Sequence, residues 1–324
     1  MAATVAHVAI RNVRSRLFSS EAKLSPSTLA TIAGALRDAR ADKSKSLPLD
    51  LVPDMQKMTI NDAYRTQKLA YPTSNAIGAG AKCGATNEKG MSAFGIKEPF
   101  RGLIPSGCVI SASSDPESVL QVTAAQLKGS VLRGGEAEWC FLLKNYCNDD
   151  DAKISWEKIC SGESEVTEDV ILRDIVADVF PAVEICGSRM TGFVEAGVEL
   201  TTGMKIADGA GNGLVVIADT YQIGDNLDLN EKISKLAELT VTSKVEGSLR
   251  TVGSGAEVYS HPLKSLTWLV NHLLKCGESD TLLMLAGKHV MTGTCTGLDG
   301  FKEGEIFEAI FEGYAGSIKV QVVP

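Results

Sequence analysis

Histidine is nearly absent from this chain. The four that occur are His7, His261, His272 and His289, and none lies between residues 8 and 260. A Ser–His–Asp triad or a histidine-rich zinc site is therefore hard to assemble over most of the sequence. His261 directly precedes Pro262 and reads as a helix-entry residue. Paired thiols are missing too. The cysteines at 83, 108, 140, 147, 160, 186, 276 and 295 show no C-x-x-C spacing, which argues against a zinc knuckle. Several sit in apolar runs such as "WCFLL" and "VEICG" and read as buried free thiols in a reducing compartment. No apolar run is long enough to span a bilayer, so no membrane partner is expected. The formal charge is −8 with no extended basic patch, which excludes nucleic acid as an expected partner. A phosphate loop is also lacking: "GAGAKCGAT" (78–86) matches neither G-x-G-x-x-G nor G-x-x-x-x-G-K-[ST].

Acidic residues are absent before Glu21. "MAATVAHVAIRNVRSRLFSS" carries three arginines, and Ile10, Val13 and Leu17 fall at helical spacing. This is the composition of a mitochondrial targeting segment, with a plain tail as the alternative. The expectation for residues 1–20 is a transit peptide and a matrix location; without it the location is cytoplasmic.

What is present is ample core: 324 residues, 44% of them hydrophobic, support one large domain with an accessory segment, or two domains. Ser25 and Pro26 open a helix with a Leu29, Ile32, Ala33, Leu36 stripe, and Thr59 caps another that ends before Pro72. Residues 21–75 thus form an expected helical N-terminal segment. Residues 76–324 read as a β-rich body. "EVTEDVILRDIVADVF" reads as a helix capped by Thr167, with Val170, Ile171, Ile175 and Val176 inward, and "SHPLKSLTWLVNHLLKCG" as a second helix. "ELTVTSKVEGSLRTVG" reads as a hairpin turning at Glu246–Gly247. "DTLLMLAGKHVMTGT" reads as strand, and "NDDDAKISWEKICSGESE" as an acidic surface insertion. The expected class is α+β.

The chemistry is concentrated in "RGGEAEWCFLL" (133–143). As a strand it places Glu136 and Glu138 on one face and Ala137, Trp139 and Phe141 on the other. Adjacent carboxylates repel, and burying one unpaired costs several kcal/mol. Glu184, in "VFPAVEICGSR", is a third carboxylate in an apolar strand. A hard divalent cation, Mg²⁺ or Mn²⁺, removes the repulsion and keeps all three ionised. Acids on a solvated strand face are the other reading. Lys82 sits among glycines that allow close backbone approach to a ligand.

Nine stretches follow one another in a telling order: "NDAYRTQ", "GAKCGAT", "FGIKEPFRG", "EAEWCF", "PAVEICGSR", "ADGAGNG", "SHPLKSLTWLVNHL", "VMTGTCTG" and "FEGYAGSIKV". Together they resemble the 2-keto-4-pentenoate hydratase / 4-oxalocrotonate decarboxylase family of the fumarylacetoacetate hydrolase superfamily, over residues 57–324. The resemblance implies a mixed β-sandwich roll with a small helical N-terminal segment. It implies Glu136, Glu138 and Glu184 as metal ligands and Lys82 as the catalytic lysine. Arg189 and Asp208 become expected substrate-binding residues. The implied substrates are small 2-oxo acids or their dienol tautomers, and the implied assembly is a homo-oligomer. The expected reaction is a metal-dependent hydration or decarboxylation. The alternatives are an acylpyruvate-type C–C bond hydrolase, or a non-catalytic member of the fold. Two positions depart from the family pattern: Phe100–Arg101 stand where "P-D-F-G" has its acid, and Asp208–Gly209 where the family has D-N. These touch the acid/base periphery. Lys82 is expected to have a lowered pKa from burial and a neighbouring cation.

Overall fold

The structure, a computed structural model, describes residues 23–42, 46–71, 79–113, 115, 117–146, 150–161, 165–218, 228–313 and 317–324. The expected targeting segment, Gly78 and Cys147 lie outside these residues. Within them the strands are β1 (Gly80–Gly84), β2 (Phe100–Ile104), β3 (Val109–Ser111), β4 (Val119–Thr123), β5 (Val131–Leu143) and β6 (Val176–Ser188). They continue with β7 (Asn212–Ile217), β8 (Thr240–Val245), β9 (Ser248–Ser254), β10 (His289–Thr294), β11 (Ile306–Phe311) and β12 (Ser317–Val323). The described strands form a seven-stranded sheet ordered β2-β1-β10-β5-β6-β7-β3 and a five-stranded sheet ordered β4-β12-β11-β8-β9.

The two sheets seal one core between them. Ala137, Trp139 and Phe141 of β5 are fully buried, as are Phe307, Val320 and Val322 of the smaller sheet. The Trp139 and Phe311 rings meet edge to face, centroids 5.0 Å apart, a geometry that stabilises beyond area burial. The β8–β9 hairpin turns at Glu246 (φ 50) and Gly247 (φ 71), as "EG" between alternating strands predicts. The helix Pro26–Ala41 is capped by Ser25, whose side chain accepts from Thr28 N. Ile60–Ala70 has a capping box between Thr59 and Asp62. Both pack in a second cluster with Phe100, Met190, Phe193, Met204 and Ile206. The N-terminal helices and the 190–207 region therefore cover the opposite face of the large sheet from the inter-sheet core.

Several elements differ from the sequence reading. The helix at Thr167 is only Glu168–Asp174. Val176 already starts β6, because the β-branched and aromatic run "VADVFPAVEIC" fills a central strand. Pro181 is tolerated there for a local reason. Its carbonyl accepts from Ala218 N at 3.0 Å, so its missing N–H faces the side where β7 has already ended. "DTLLM" is helical, within Ser279–Met284; a short apolar run carries no period that separates helix from strand. The acidic insertion is not a mere surface feature: Asp150–Cys160 is a helix that buries Ala152, Trp156 and Ile159, a stripe masked by the charges around it. The short helices Glu88–Phe94, Thr191–Glu195 and Thr202–Ala207 were not legible at all.

Candidate metal centre and active site

Strand register assembles the site. Glu136 of β5 pairs directly with Glu184 of β6, and Glu138 pairs with Ala182 one step along. Directly opposed residues share a face, so all three carboxylates lie on the sheet face away from Trp139. Lys82 of β1 reaches the same place: its ammonium donates to Glu184 Oε2 at 2.5 Å and to the Ala210 carbonyl at 3.0 Å. Gly102, beside Lys82 in β2, makes room for this. A Cβ there would meet Gly209 O at 2.8 Å, Ala210 Cβ at 2.9 Å and Lys82 Cγ at 3.1 Å. The turn that offers the Ala210 carbonyl has three successive left-handed residues, Gly209 (φ 78), Ala210 (φ 58) and Gly211 (φ 79). For Ala210 that conformation is costly, and it aims the carbonyl at Lys82.

The carboxylates are held individually. Glu184 Oε1 accepts from Asn212 Nδ2 at 3.0 Å. Glu138 Oε2 accepts from Gly293 N at 2.9 Å. Glu136 Oε2 accepts from the Cys186 thiol at 3.2 Å. Burial drives the Glu138 carboxyl well above its ordinary range, and Glu184 and Glu136 add to this against Lys82 and the Gly293 N–H. Glu136 is raised too, by burial first, with Lys82 opposing and Glu184 adding to the rise. A face on which Glu136 and Glu138 resist ionisation is a donor set that suits a divalent cation. One donor atom each from Glu136, Glu184 and Cys186 lie within 4.8 Å of one another. Glu138 stands beside this trio rather than in it.

Burial alone lowers the Lys82 pKa, but Glu184, Cys186, Glu136 and Glu138 all raise it and the raising side prevails. The expected depressed lysine is thus not what the protein's own side chains produce; carboxylates surround the ammonium. Arg189 also departs from expectation. Its Nη1 donates to Asp208 Oδ1 at 2.9 Å, its Nη2 to the Asn212 carbonyl at 2.7 Å and its Nε to the Lys128 carbonyl at 3.2 Å. With its donors occupied and the side chain buried, Arg189 braces the 208–212 turn instead of holding substrate. Asp208 lines the cavity, but both its oxygens accept from Arg189, Oδ2 from the backbone N at 2.9 Å.

The cavity holds about 320 Å³ and includes Lys82, Glu136, Glu138 and Cys186 at its floor. Phe94, Phe100, Met190 and Leu200 form its apolar wall, and Arg133 and Lys205 bring exposed cations to its lining. Phe100 faces the cavity, while Arg101 turns away to Glu278 at 2.5 Å and over the Tyr64 ring at 4.2 Å. No histidine lines this cavity among the described residues. His261 caps the helix Pro262–Lys275, accepting from Leu263 N, as expected. Cys186, Asn212, Arg133 and Lys205 were missed from sequence. For Cys186 a signal existed: it lies two residues beyond Glu184, the same step that separates Glu136 from Glu138.

Two curated relatives are similar over most of the chain. One, a 4-oxalocrotonate decarboxylase from Pseudomonas putida, is 23% identical over 283 residues, 83% of this chain and 88% of its own. Another of the same name from Pseudomonas sp. (strain CF600) is 24% identical over 263 residues, covering 80% and 84%. These relatives support the resemblance to the 2-keto-4-pentenoate hydratase / 4-oxalocrotonate decarboxylase family. The fold is shared with a solved structure. A solved 4-oxalocrotonate decarboxylase from Pseudomonas putida G7, complexed with magnesium and adipate, superposes with a TM-score of 0.68 at 20% identity. It covers 93% of this chain and 100% of that one. No family model matches the sequence.

Proposed function

We propose that this enzyme is a divalent-metal-dependent lyase acting on small 2-oxo acids, with loss of CO₂ favoured over addition of water. The observation that carries the reading is the direct β5–β6 pairing of Glu136 with Glu184, with Lys82, which lines the cavity, against Glu184. Glu136 and Glu184, with Glu138 beside them, would hold the ion, whether Mg²⁺ or Mn²⁺. When bound, such an ion supplies Lewis acidity for the oxygens of a 2-oxo acid.

The remaining work falls to the chain. Glu136, Glu138 and Glu184 fix the charge of the floor, and Asn212 and Gly293 N hold two of them in place. Lys82 carries a proton at Nζ within reach of the cavity, and can give it to the enolate or dienolate that loss of CO₂ leaves. Phe94, Phe100, Met190 and Leu200 exclude water from the far wall. Such a wall favours release of an uncharged product over water addition, which needs an acid or base where Phe100 stands. The cavity lies at the small end for ligand sites, so a short substrate fits. Arg133 and Lys205 attract a dianionic acid to a protein of net charge −8. The acylpyruvate hydrolase alternative loses support from a cavity lining without histidine.

Turnover assays with Mg²⁺ or Mn²⁺ on 4-oxalocrotonate, 2-hydroxypenta-2,4-dienoate, oxaloacetate and an acylpyruvate test this. CO₂ release from a 2-oxo diacid is the expected result; hydration or C–C hydrolysis at higher kcat/KM overturns the decarboxylase reading, and no turnover of any overturns the enzyme reading. Matrix targeting by residues 1–20 is also our proposal. Mitochondrial import of a reporter carrying these residues supports it, and a cytosolic reporter refutes it.

A further inference from the structure

We propose that Cys186 supplies a sulfur ligand directly to the cation, so that this centre prefers borderline ions such as Zn²⁺, Co²⁺ or Fe²⁺ to Mg²⁺ and Ca²⁺. The inference rests on the reading of the Glu136–Glu184 face as a cation site, and goes beyond it in assigning a sulfur donor and a metal class.

The geometry is specific. Cys186 Sγ stands 3.2 Å from Glu136 Oε2, and it forms with Glu136 and Glu184 the set of donor atoms lying within 4.8 Å of one another. With metal–oxygen distances of about 2.1 Å and metal–sulfur of about 2.3 Å, two ligands of one ion sit at most ~4.4 Å apart. The trio therefore needs only small side-chain rotations to close on an ion. Its position is set by backbone rather than by chance: β6 places Glu184 and Cys186 two residues apart, and the register shifts between Ile185 and Cys186 against β7. Cys186 also lines the cavity beside Lys82 and Glu136. The buried Cys83 thiol points elsewhere, toward the Ser265 carbonyl at 3.7 Å.

Softness decides the metal. Carboxylates and water suit Mg²⁺, Ca²⁺ and Mn²⁺, whereas a thiolate ligand shifts preference toward softer ions. On binding, the Sγ–H bond breaks, the proton leaves to solvent and the sulfur lone pair enters the coordination sphere; coordination deprotonates a thiol outright.

The test uses the full chain, stripped with chelator and reloaded. Co²⁺-loaded wild type should show near-ultraviolet sulfur-to-cobalt charge-transfer absorption, absent from Cys186→Ser and Cys186→Ala. Calorimetry should show Co²⁺ and Zn²⁺ affinity falling about 10–100-fold in Cys186→Ser, with Mg²⁺ affinity changing less than ~3-fold. Unfolding of the chelated variants reports whether they are folded, and the wild-type band needs no variant. Binding of Mn²⁺ and Co²⁺ by wild type without that band, and with equal affinities in Cys186→Ser, overturns the sulfur ligand while leaving the cation site standing. Failure of wild type to bind Mg²⁺, Mn²⁺ or Co²⁺ overturns both.

Discussion

On one face of β5, Ala137, Trp139 and Phe141 are sealed against the smaller sheet; on the other, Glu136 and Glu138 line a cavity, with Glu184 of β6 buried beside them. Both faces are set by the same register, and Glu138, 1% exposed, lies nearly as deep as Trp139, 0% exposed, while Glu136 is half-buried. What differs is the partner supplied from above. Phe311 meets Trp139 ring to ring, and Phe307 lies in the same apolar cluster. The helices and the 190–211 region instead leave a space over the glutamates, which are met by one ammonium, one amide, one thiol and the Gly293 N–H. Burial stabilises the first face and destabilises the second unless charge is added, so scaffold and site separate on a single strand.

The comparison breaks most visibly at Trp139. Trp139→Ala should cost about 3–5 kcal/mol, the range for removing a large buried aromatic, and appear as a large fall in the denaturant midpoint. A loss under ~1 kcal/mol would mean that the inter-sheet face is not the tighter one. Lys82→Met is the counterpart on the site face. It should cut turnover by a factor on the order of 10²–10⁴ while leaving Mn²⁺ affinity unchanged or tighter, because the ammonium beside Glu184 repels an ion. Unaltered turnover would move the proton-carrying role away from Lys82.

Glu138→Gln sharpens the contrast. It removes a like charge from a buried face, so the chelated protein should melt on the order of 2 °C higher. Mn²⁺ affinity should fall about tenfold, as for a group adjoining the ligands. A lower melting temperature would show that Glu138 is a stabilising part of the scaffold. The smallest effect lies away from both faces. Burial, with Arg101 and Lys275 nearby, holds the His272 pKa down to about 4, where its ring stacks on Trp268 with centroids 4.8 Å apart. The folded state thus prefers neutral imidazole. Its stabilising contribution is present above the unfolded value of about 6.5 and is lost as pH falls toward 4. A melting-temperature profile over that window should flatten in His272→Phe relative to wild type; an unchanged slope assigns the titration to other groups.

Sequence was a good guide where one periodicity governed one element. The i, i+2 step put Glu136 and Glu138 on one face before any partner strand was known, and Ser25 and Thr59 announced their helices. It was a poor guide where tertiary contact chose. Nothing local distinguishes "DTLLM" as helix from a strand, and Trp156 disappears among acids although it is fully buried. Lys82 could be named, but not its ammonium's enclosure by carboxylates 54 to 102 residues away in sequence. Arg189 illustrates the opposite failure: a cation following a catalytic-looking strand reads as a substrate clamp, yet its donors are spent on Asp208 and two carbonyls. Cys186 shares the same two-residue step, but a cysteine in an apolar strand reads as core.

Counting bound Mn²⁺ by electron paramagnetic resonance tests the central claim most directly. Wild type should bind one Mn²⁺ per chain, and the Glu136→Gln/Glu184→Gln double variant, folded by circular dichroism, should leave the added Mn²⁺ free in solution. Mn²⁺ bound equally by both proteins would contradict the assignment of this strand face as a cation site.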